Sequence, residues 1–271
     1  MLIDTHSHLN FKAYDNDRDE VIKRLEQEGV VCIDVGTKYE TSMRAVELAE
    51  KYQGIYAAVG MHPIFAAAEL QKIRTDPGEG EFLIKEESFD KAKYKELAKS
   101  KKVVALGEIG LDYYYKPKTK TRLEQFKQKQ KHAFIEQLDL AEELNLPVII
   151  HCRMAHEDLL EILKTRSARG VIHCFTGSWE QAQEYIAIGF CLGINGIIYK
   201  MDLEEVIKTA PLDKILVETD CPYLTPPMAG VERNEPIFVK HVVQKIADLK
   251  GVDFDEVAKV TTRNAQKLFN I

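Results

Sequence analysis

The regular alternation of short β-rich runs with amphipathic helical stretches is the feature that most constrains how this chain of 271 residues folds. Neighbouring parallel strands need long crossover connections, usually helices, so the alternation predicts a parallel sheet. Eight such units most simply close into a barrel. We therefore expect an α/β fold, a (β/α)8 TIM barrel, with an open doubly wound sheet as the alternative. A single domain is expected over residues 1–271, with a helical tail at 253–271.

The periodicity of apolar residues places the expected elements along the chain. The expected strands are Leu2–His8, Val30–Thr37, Ile55–His62, Val103–Glu108, Pro147–Cys152, Gly170–Phe175, Phe190–Asn195 and Ile215–Asp220. The expected helices are Asp19–Glu28, Thr41–Tyr52, Leu123–Asn145, His156–Arg166, Glu180–Ile188, 202–209, 236–249 and 253–269. The acidic segment Thr75–Glu87 has no strong period, so we expect a surface insertion and assign it no chemistry.

Composition and charge indicate which classes of protein this chain can belong to. No run approaches the roughly 18–20 apolar residues that cross a membrane, and the N-terminus lacks the features of an export signal. The five cysteines contain no CxxC pair, which favours a reducing, cytoplasmic location. The net charge of −6 and the isoelectric point near 5.8 argue against a broad nucleic-acid surface. A chain end or a small phosphate ester fits better, because bound divalent ions would supply positive charge at one point.

Ligand-type side chains recur at the carboxyl ends of the predicted strands, the end of a TIM barrel where active sites form. They are His6, His8, His62, His151, His173, Glu108 and Asp220. Taken singly, each has a structural alternative, such as a salt bridge for Glu108 or a satisfied strand-end histidine for His151. Apart from His62, these residues end strands 1, 4, 5, 6 and 8, and metal-ligand types at five corresponding strand ends favour a metal site.

Strand geometry and the number of candidate ligands together predict a site for two metal ions. His6 and His8 form an H-x-H pair whose side chains share one face of the first strand, about 6.5–7 Å apart, so both imidazoles can bind one ion. A buried carboxylate such as Glu108 is costly unless it is paired or metal-bound. Four histidines and two carboxylates at one barrel mouth can hold two divalent ions, with Glu108 as the natural bridge and Asp220 as the candidate general base. Glu218 is expected to point the same way as Asp220 and to orient a ligand or hold a cation.

Three cysteines, Cys152, Cys174 and Cys221, each follow a proposed ligand directly. Because side chains alternate along a strand, their thiols are expected to face the helix layer as small buried hydrophobes. Cys32 and Cys191 are interpreted in the same way.

Seven motifs in order resemble the TatD family of metal-dependent deoxyribonucleases: IDTHSHL, GMHP, GEIGLDY, VIIHCR, HCFTG, ETDCPYLTP and RNEP. The family has an amidohydrolase-like barrel. The resemblance implies one ion on His6 and His8, a bridging Glu108, a second ion on His151 and His173, and Asp220 completing the site. It also implies that His62 and Arg153 contact substrate phosphate. The implied activity is hydrolysis of DNA phosphodiesters from a 3′ end with Mg²⁺ or a similar ion; the residue types themselves also suit Mn²⁺ or Zn²⁺.

Two departures from the family pattern concern the substrate. Met154 stands where relatives often carry a polar residue, and the PPMAGVE loop is less basic than usual. Some relatives are linked to RNA or to D-aminoacyl-tRNA, so the alternative is an amidohydrolase-like enzyme acting on another ester or amide. A non-catalytic binding protein is a third reading, which would predict broken ligand positions.

Aromatic and basic residues lie beside the predicted site. Tyr113–Tyr115 precede Lys116, Lys118, Lys120 and Arg122, and stacking of a base on tyrosine contributes about 1–3 kcal/mol. This composition suits a single-stranded end, although a solvated start of a helix is an equal alternative. Arg233 could also reach phosphate. Asn234, Glu235 and Pro236 are expected to start the last barrel helix.

Overall fold

Eight parallel strands form one sheet in sequential order in the computed structural model, which describes residues 1–70 and 85–271. The strands are β1 (Leu2–Ser7), β2 (Val30–Val35), β3 (Ile55–Val59), β4 (Val103–Asp112), β5 (Val148–Arg153), β6 (Gly170–Ile172), β7 (Cys191–Ile194) and β8 (Ile215–Val217). The two edges meet through a parallel bridge between Ser7 and Cys221. Beside it, the amide of His8 donates to the carbonyl of Cys221 at 2.9 Å. The sequential order and this closure confirm the TIM barrel, because a doubly wound sheet reverses its strand order.

Helices connect the strands and surround the sheet. They are α1 (Arg18–Glu28), α2 (Tyr39–Lys51), α3 (Pro63–Ala66), α4 (Lys91–Leu97), α5 (Lys120–Leu144), α6 (His156–Leu163), α7 (Trp179–Ala187), α8 (Glu204–Thr209), α9 (Val239–Lys250) and α10 (Phe254–Phe269). Local sequence explains several ends. Ser178 and Gln181 form a capping box at the start of α7, and Gly29 and Gly251 end α1 and α9 in the left-handed conformation.

Apolar side chains fill two layers of core. One cluster lies between the strands and the surrounding helices. The second lies inside the barrel and includes Ile3, Ile33, Ile149 and Leu216, together with Phe269 of α10. Helix α10 therefore packs against the amino-terminal end of the barrel. Its Asn264 donates to the carbonyls of Leu212 and Ile215, both at 2.9 Å, just before and at the start of β8. The polar side chains lie at the opposite end of the barrel, where the strands end.

Most predicted elements are observed, with shifted ends. Strands β3, β6 and β8 stop before His62, His173 and Asp220, whereas β4 runs four residues past Glu108 to Asp112. The expected helix 236–249 divides into a 3-10 turn at Pro236–Phe238 and α9. Helices α3 and α4 were not predicted. Residues 75–84 of the expected insertion lie outside the described part of the chain.

Among the described residues, no helix combines the length and apolar character that crossing a membrane requires.

Candidate metal centre

Glu108 lies at the centre of the polar cluster, buried within β4 and 4% exposed. One carboxylate oxygen, Oε2, lies 3.6 Å from Nε2 of His6 and 3.9 Å from Nε2 of His8. The other oxygen, Oε1, lies 2.8 Å from Nδ1 of His151 and 3.0 Å from Nε2 of His173. The two oxygens of one carboxylate therefore face two separate groups of imidazole nitrogens.

The first group consists of His6, His8 and Asp220 with one oxygen of Glu108. His6 lies on β1 and His8 directly follows that strand, and their Nε2 atoms lie 3.1 Å from each other. Oδ1 of Asp220 lies 3.7 Å from Nε2 of His6 and 3.4 Å from Nε2 of His8. Nδ1 of His8 lies 2.8 Å from the carbonyl oxygen of Val35 and must donate to it. That bond leaves the lone pair of Nε2 facing the group, as metal binding requires.

The second group consists of His151 and His173 with the other oxygen of Glu108. Each imidazole has a carboxylate behind it. Nδ1 of His173 lies 3.2 Å from Oε1 of Glu218, and Nε2 of His151 lies 3.2 Å from Oδ2 of Asp112. When these nitrogens donate to the carboxylates, the remaining nitrogen of each ring faces Glu108 with its lone pair, an arrangement typical of metal-bound histidine.

Electrostatics reflect this crowding of charges. Burial opposes ionisation of Glu108, but the imidazoles of His62, His173 and His151 outweigh it and hold the pKa of the carboxyl well below its ordinary value. Burial also opposes protonation of His151, yet its bonds to Asp112 and Glu108 raise its pKa to about 9. The cluster thus keeps its carboxylates negative and attracts positive charge. Divalent cations satisfy the same demand, and the mixture of imidazole nitrogen and carboxylate oxygen is a donor set that suits them.

Triplets of these side chains meet the distance requirement for a metal ion. In His6–His8–Glu108, His6–His173–Asp220 and Glu108–His151–His173, one ligand atom from each residue lies within 4.8 Å of the other two. The structure therefore brings together all six residues that the sequence suggested as ligands.

His62 stands beside the cluster in a different state. It is the N-cap of α3, and its Nδ1 accepts from the amide of Ile64 at 3.1 Å. Burial and the nearby His151 lower the pKa of His62 to about 3, so the ring is neutral and its proton resides on Nε2. That N–H lies 3.5 Å from Oε1 of Glu108. Although His62 also falls within 4.8 Å of Asp112 and His151, this tautomer offers a hydrogen-bond donor and not a metal ligand.

Arg153 ends β5 at the rim and is exposed. Its guanidinium carbon lies 3.6 Å from the ring centroid of Tyr114. No ion pair or hydrogen bond to another residue of the described ranges 1–70 and 85–271 engages the guanidinium.

Comparison with known proteins identifies the family of this chain. A family model described as TatD related DNase matches residues 3–270. The chain belongs to the TatD family. This result confirms the resemblance seen in the sequence.

Relatives of this TatD family member match 99% or more of its length. It is 42% identical to "Uncharacterized metal-dependent hydrolase YabD" of Bacillus subtilis, over 100% of both chains. It is 34% identical to "3'-5' ssDNA/RNA exonuclease TatD" of Cronobacter sakazakii, over 99% of this chain and 97% of the relative. The crystal structure of the TatD homologue YjjV from Escherichia coli matches with a TM-score of 0.81 and 31% identity, covering 100% of this chain and 98% of that one. The TatD chain is accordingly a metal-dependent hydrolase.

Two acidic residues of this TatD protein, Asp112 and Asp4, were not predicted from the sequence. Asp112 lies four residues after Glu108, on the same face of β4, and the premature end predicted for that strand hid it. Asp4 accepts from the hydroxyl and amide of Thr219 at 2.6 and 2.9 Å and from the amide of His6 at 3.2 Å. It thereby joins the ends of β1 and β8. An acidic residue two positions before the H-x-H pair was the available signal.

Two interpretations need correction. Arg233 is committed to Asp17, with nitrogen–oxygen distances of 2.8 and 2.6 Å, and lies over the ring of Tyr14, so it is not a free phosphate ligand. Cys152 and Cys221 pack in the cluster between strands and helices as expected. Cys174 departs from the pattern, because β6 has already ended and its φ of 45° breaks the alternation.

Proposed function

We propose that this chain is a deoxyribonuclease that hydrolyses phosphodiester bonds from the 3′ end of DNA by metal-activated water. The observation that carries the proposal is the placement of Glu108, whose two oxygens face two separate groups of histidine nitrogens. A carboxylate so placed is suited to bridge two divalent ions, the arrangement common in enzymes that cleave phosphate esters. The exonuclease name of a relative that matches nearly the whole chain adds support.

The six clustered side chains would hold the ions. His6, His8 and Asp220 would bind one, His151 and His173 would bind the other, and Glu108 would join both. Mg²⁺, Mn²⁺ and Zn²⁺ all suit this donor set. Two such ions supply Lewis acidity, which activates the attacking water and neutralises charge on the leaving oxygen.

Asp220 is the proposed general base. Burial opposes its ionisation, but the neighbouring imidazoles of His8, His173 and His6 hold its pKa below the ordinary value. It is therefore an acceptor at neutral pH. Its side chain is 16% exposed, against 5% for Glu108, so it reaches nearer to the open mouth. A positioned acid–base group of this kind contributes about 10²–10⁴-fold to the rate.

His62 and Arg153 are the proposed phosphate contacts. The neutral His62 offers an N–H beside Glu108 without adding a ligand to the metal centre. Arg153 offers a permanent positive charge and several N–H donors at the rim, which match the geometry of a phosphate group. Together they would orient the substrate and stabilise the negative charge that develops on it.

End-labelled single-stranded DNA tests the proposal directly. With Mg²⁺ or Mn²⁺ the protein should shorten the strand stepwise from its 3′ end, and EDTA or Asp220→Asn should abolish this activity. Asp213→Asn is the matched control, because it removes an exposed carboxylate before β8, at the opposite end of the barrel. Absence of cleavage by protein shown to contain metal would overturn the nuclease assignment and direct attention to esters such as D-aminoacyl-tRNA.

A further inference from the structure

Tyr114, Tyr115 and Arg153 form a cluster where β4 and β5 end, in which Tyr114 and Arg153 are exposed and Tyr115 is half-buried. Arg153 pairs in register with Asp112, and the two tyrosines follow Asp112 closely in the chain. The guanidinium of Arg153 lies 3.6 Å from the ring centroid of Tyr114 and 5.9 Å from that of Tyr115. The two rings contact each other edge to face at 4.8 Å, and Tyr114 is 50% exposed. A large aromatic side chain this open at the rim of an active site has surface available to a ligand.

Stacking leaves the hydrogen-bonding edge of Arg153 available. Its guanidinium has no ion pair or hydrogen bond to any side chain or carbonyl within the described ranges. A guanidinium held face-on against a ring still directs its N–H groups outward, and these match a phosphate in a bidentate manner. The pair therefore presents an aromatic face and a phosphate-binding edge side by side.

Asp112 ties this cluster to the metal centre. Its Oδ1 accepts from the amide of Tyr114 at 2.8 Å, while its Oδ2 lies 3.2 Å from Nε2 of His151. Tyr113 is buried and donates to Asp158 at 2.8 Å, so the start of the segment is anchored. The two rings thus begin within two residues of a side chain that contacts a proposed ligand.

Four exposed cations continue the chain from these rings: Lys116, Lys118, Lys120 and Arg122. No acidic residue lies between Tyr113 and Leu123. These four cations have no ion pair with another residue of the described chain, in contrast to Lys127 and Lys131, which pair with Asp158 at 3.1 and 3.0 Å. In a protein of net charge −6, a run of unpaired cations beside the site indicates an anionic partner.

We infer that Tyr114, Tyr115, Arg153 and these four cations form one strand-binding surface, which holds the single-stranded nucleic acid leading into the metal centre. A base stacks on the tyrosines, a phosphate lies against Arg153, and the lysines follow the backbone away from the cleaved end. Stacking requires an unpaired base, so the surface selects a single strand over a duplex. This inference rests on the proposed function and adds to it the subsite that recognises the strand.

Binding and length dependence test the inference. In EDTA, where no cleavage occurs, fluorescence anisotropy measures affinity for twelve-nucleotide DNA and RNA strands of one sequence. Tyr114→Ala should weaken binding by about 5- to 150-fold, because one stacked base contributes about 1–3 kcal/mol. Tyr114→Phe retains the ring and should restore most of the affinity. With Mn²⁺, kcat/KM for wild type should rise from a dinucleotide to the longer strand, and Tyr114→Ala should flatten this rise.

The salt dependence of binding tests the role of the lysines. Replacing Lys116, Lys118 and Lys120 together by alanine should reduce the slope of log affinity against log salt by up to about 2, because each phosphate contact to a single strand contributes about 0.7. The matched control replaces Lys259, Arg263 and Lys267, which are exposed on α10 at the opposite end of the barrel, and should leave the slope unchanged.

The outcomes separate the two proposals. Hydrolysis of bis(p-nitrophenyl) phosphate by metal-loaded wild type tests the chemistry alone, without a strand to bind. If that hydrolysis occurs but the tyrosine and lysine variants bind and cleave long strands as wild type does, the strand-binding surface is wrong and the nuclease remains. If wild type hydrolyses no phosphodiester, the nuclease is wrong. The anisotropy measurements still decide the surface: weakened binding of either strand by the variants supports it, and unchanged binding overturns it.

Discussion

The side-chain amide of Gln137 binds both backbone groups of Met61, the residue immediately before His62. Its Oε1 accepts from the amide of Met61 at 2.7 Å, and its Nε2 donates to the carbonyl at 3.0 Å. Gln130, two turns earlier on α5, does the same for Asp112, at 2.8 and 2.9 Å. Both glutamines are buried. Helix α5 therefore supplies hydrogen bonds to the backbone at two points beside the metal centre. One is Met61, after the end of β3, and the other is Asp112, the last residue of β4.

Replacing Gln137 by leucine should destabilise the protein. The leucine keeps most of the volume but leaves two buried backbone groups of Met61 unpaired, and each such group costs about 1–3 kcal/mol. We expect the free energy of unfolding in urea to fall by about 2–6 kcal/mol. Gln128→Leu, an exposed change on the same helix, should alter it by less than about 0.5 kcal/mol. Equal stability of the two variants would show that this clamp contributes little.

Replacing Glu108 by glutamine should remove the bridge between the two ions. The amide presents one oxygen and one NH₂ group, so it cannot offer lone pairs to both histidine groups. Protein equilibrated with Mn²⁺ should hold two ions per chain in wild type and at most one in Glu108→Gln, measured by elemental analysis. Glu205→Gln, an exposed change on α8, should retain both. Two ions retained in Glu108→Gln would contradict the bridging role.

Asp112→Asn should weaken metal binding without removing a ligand. Asp112 holds Nε2 of His151, and loss of such a carboxylate typically lowers metal affinity by 10–100-fold. Titration with Mn²⁺ should show this loss, while the melting temperature of the metal-free protein reports any damage to the fold. Asp202→Asn, before α8, provides the control. A variant that binds Mn²⁺ as tightly as wild type would show that Asp112 serves only to hold the amide of Tyr114.

The sequence predicted the barrel and the six clustered side chains because both follow from periodicity and residue type. His6 lies on β1 and His8 directly follows it, and their side chains meet as alternation predicts. Prediction failed where the chain leaves the sheet or continues it unexpectedly. Pairing of Ile109–Asp112 with Ile150–Arg153 extends β4, and only that extension brings Asp112 to His151. Gln137 gave no signal at all, because a glutamine on a helix is common and its partner lies 76 positions away.

The three tyrosines after β4 also show what sequence alone does not predict. Tyr113, Tyr114 and Tyr115 are identical in the sequence, yet the first is buried against Asp158 and only the second and third can meet a ligand. Residue type indicated an aromatic and basic stretch. Which ring is structural and which is open depends on where β4 ends, and no local pattern reveals that end.

Asp34 should make the stability of the metal-free protein depend on pH. Burial raises its pKa to about 7, despite hydrogen bonds from the amides of Asn10 and Leu9, and its Oδ2 has no partner among the described residues. Between pH 4 and pH 7 the folded protein therefore keeps a proton on Asp34 that the unfolded chain releases. Raising the pH through this window favours the unfolded chain, so the stabilisation is present at low pH and lost as the pH rises through 7.

Relative to Asp34→Asn, the wild-type free energy of unfolding should fall by up to about 4 kcal/mol, since each pKa unit corresponds to 1.36 kcal/mol. Urea denaturation in EDTA at several pH values measures this difference, and Asp255→Asn, exposed on α10, reports any general effect of losing one carboxyl group. A difference between wild type and Asp34→Asn that stays constant across the window would mean that Asp34 is ionised in the folded protein.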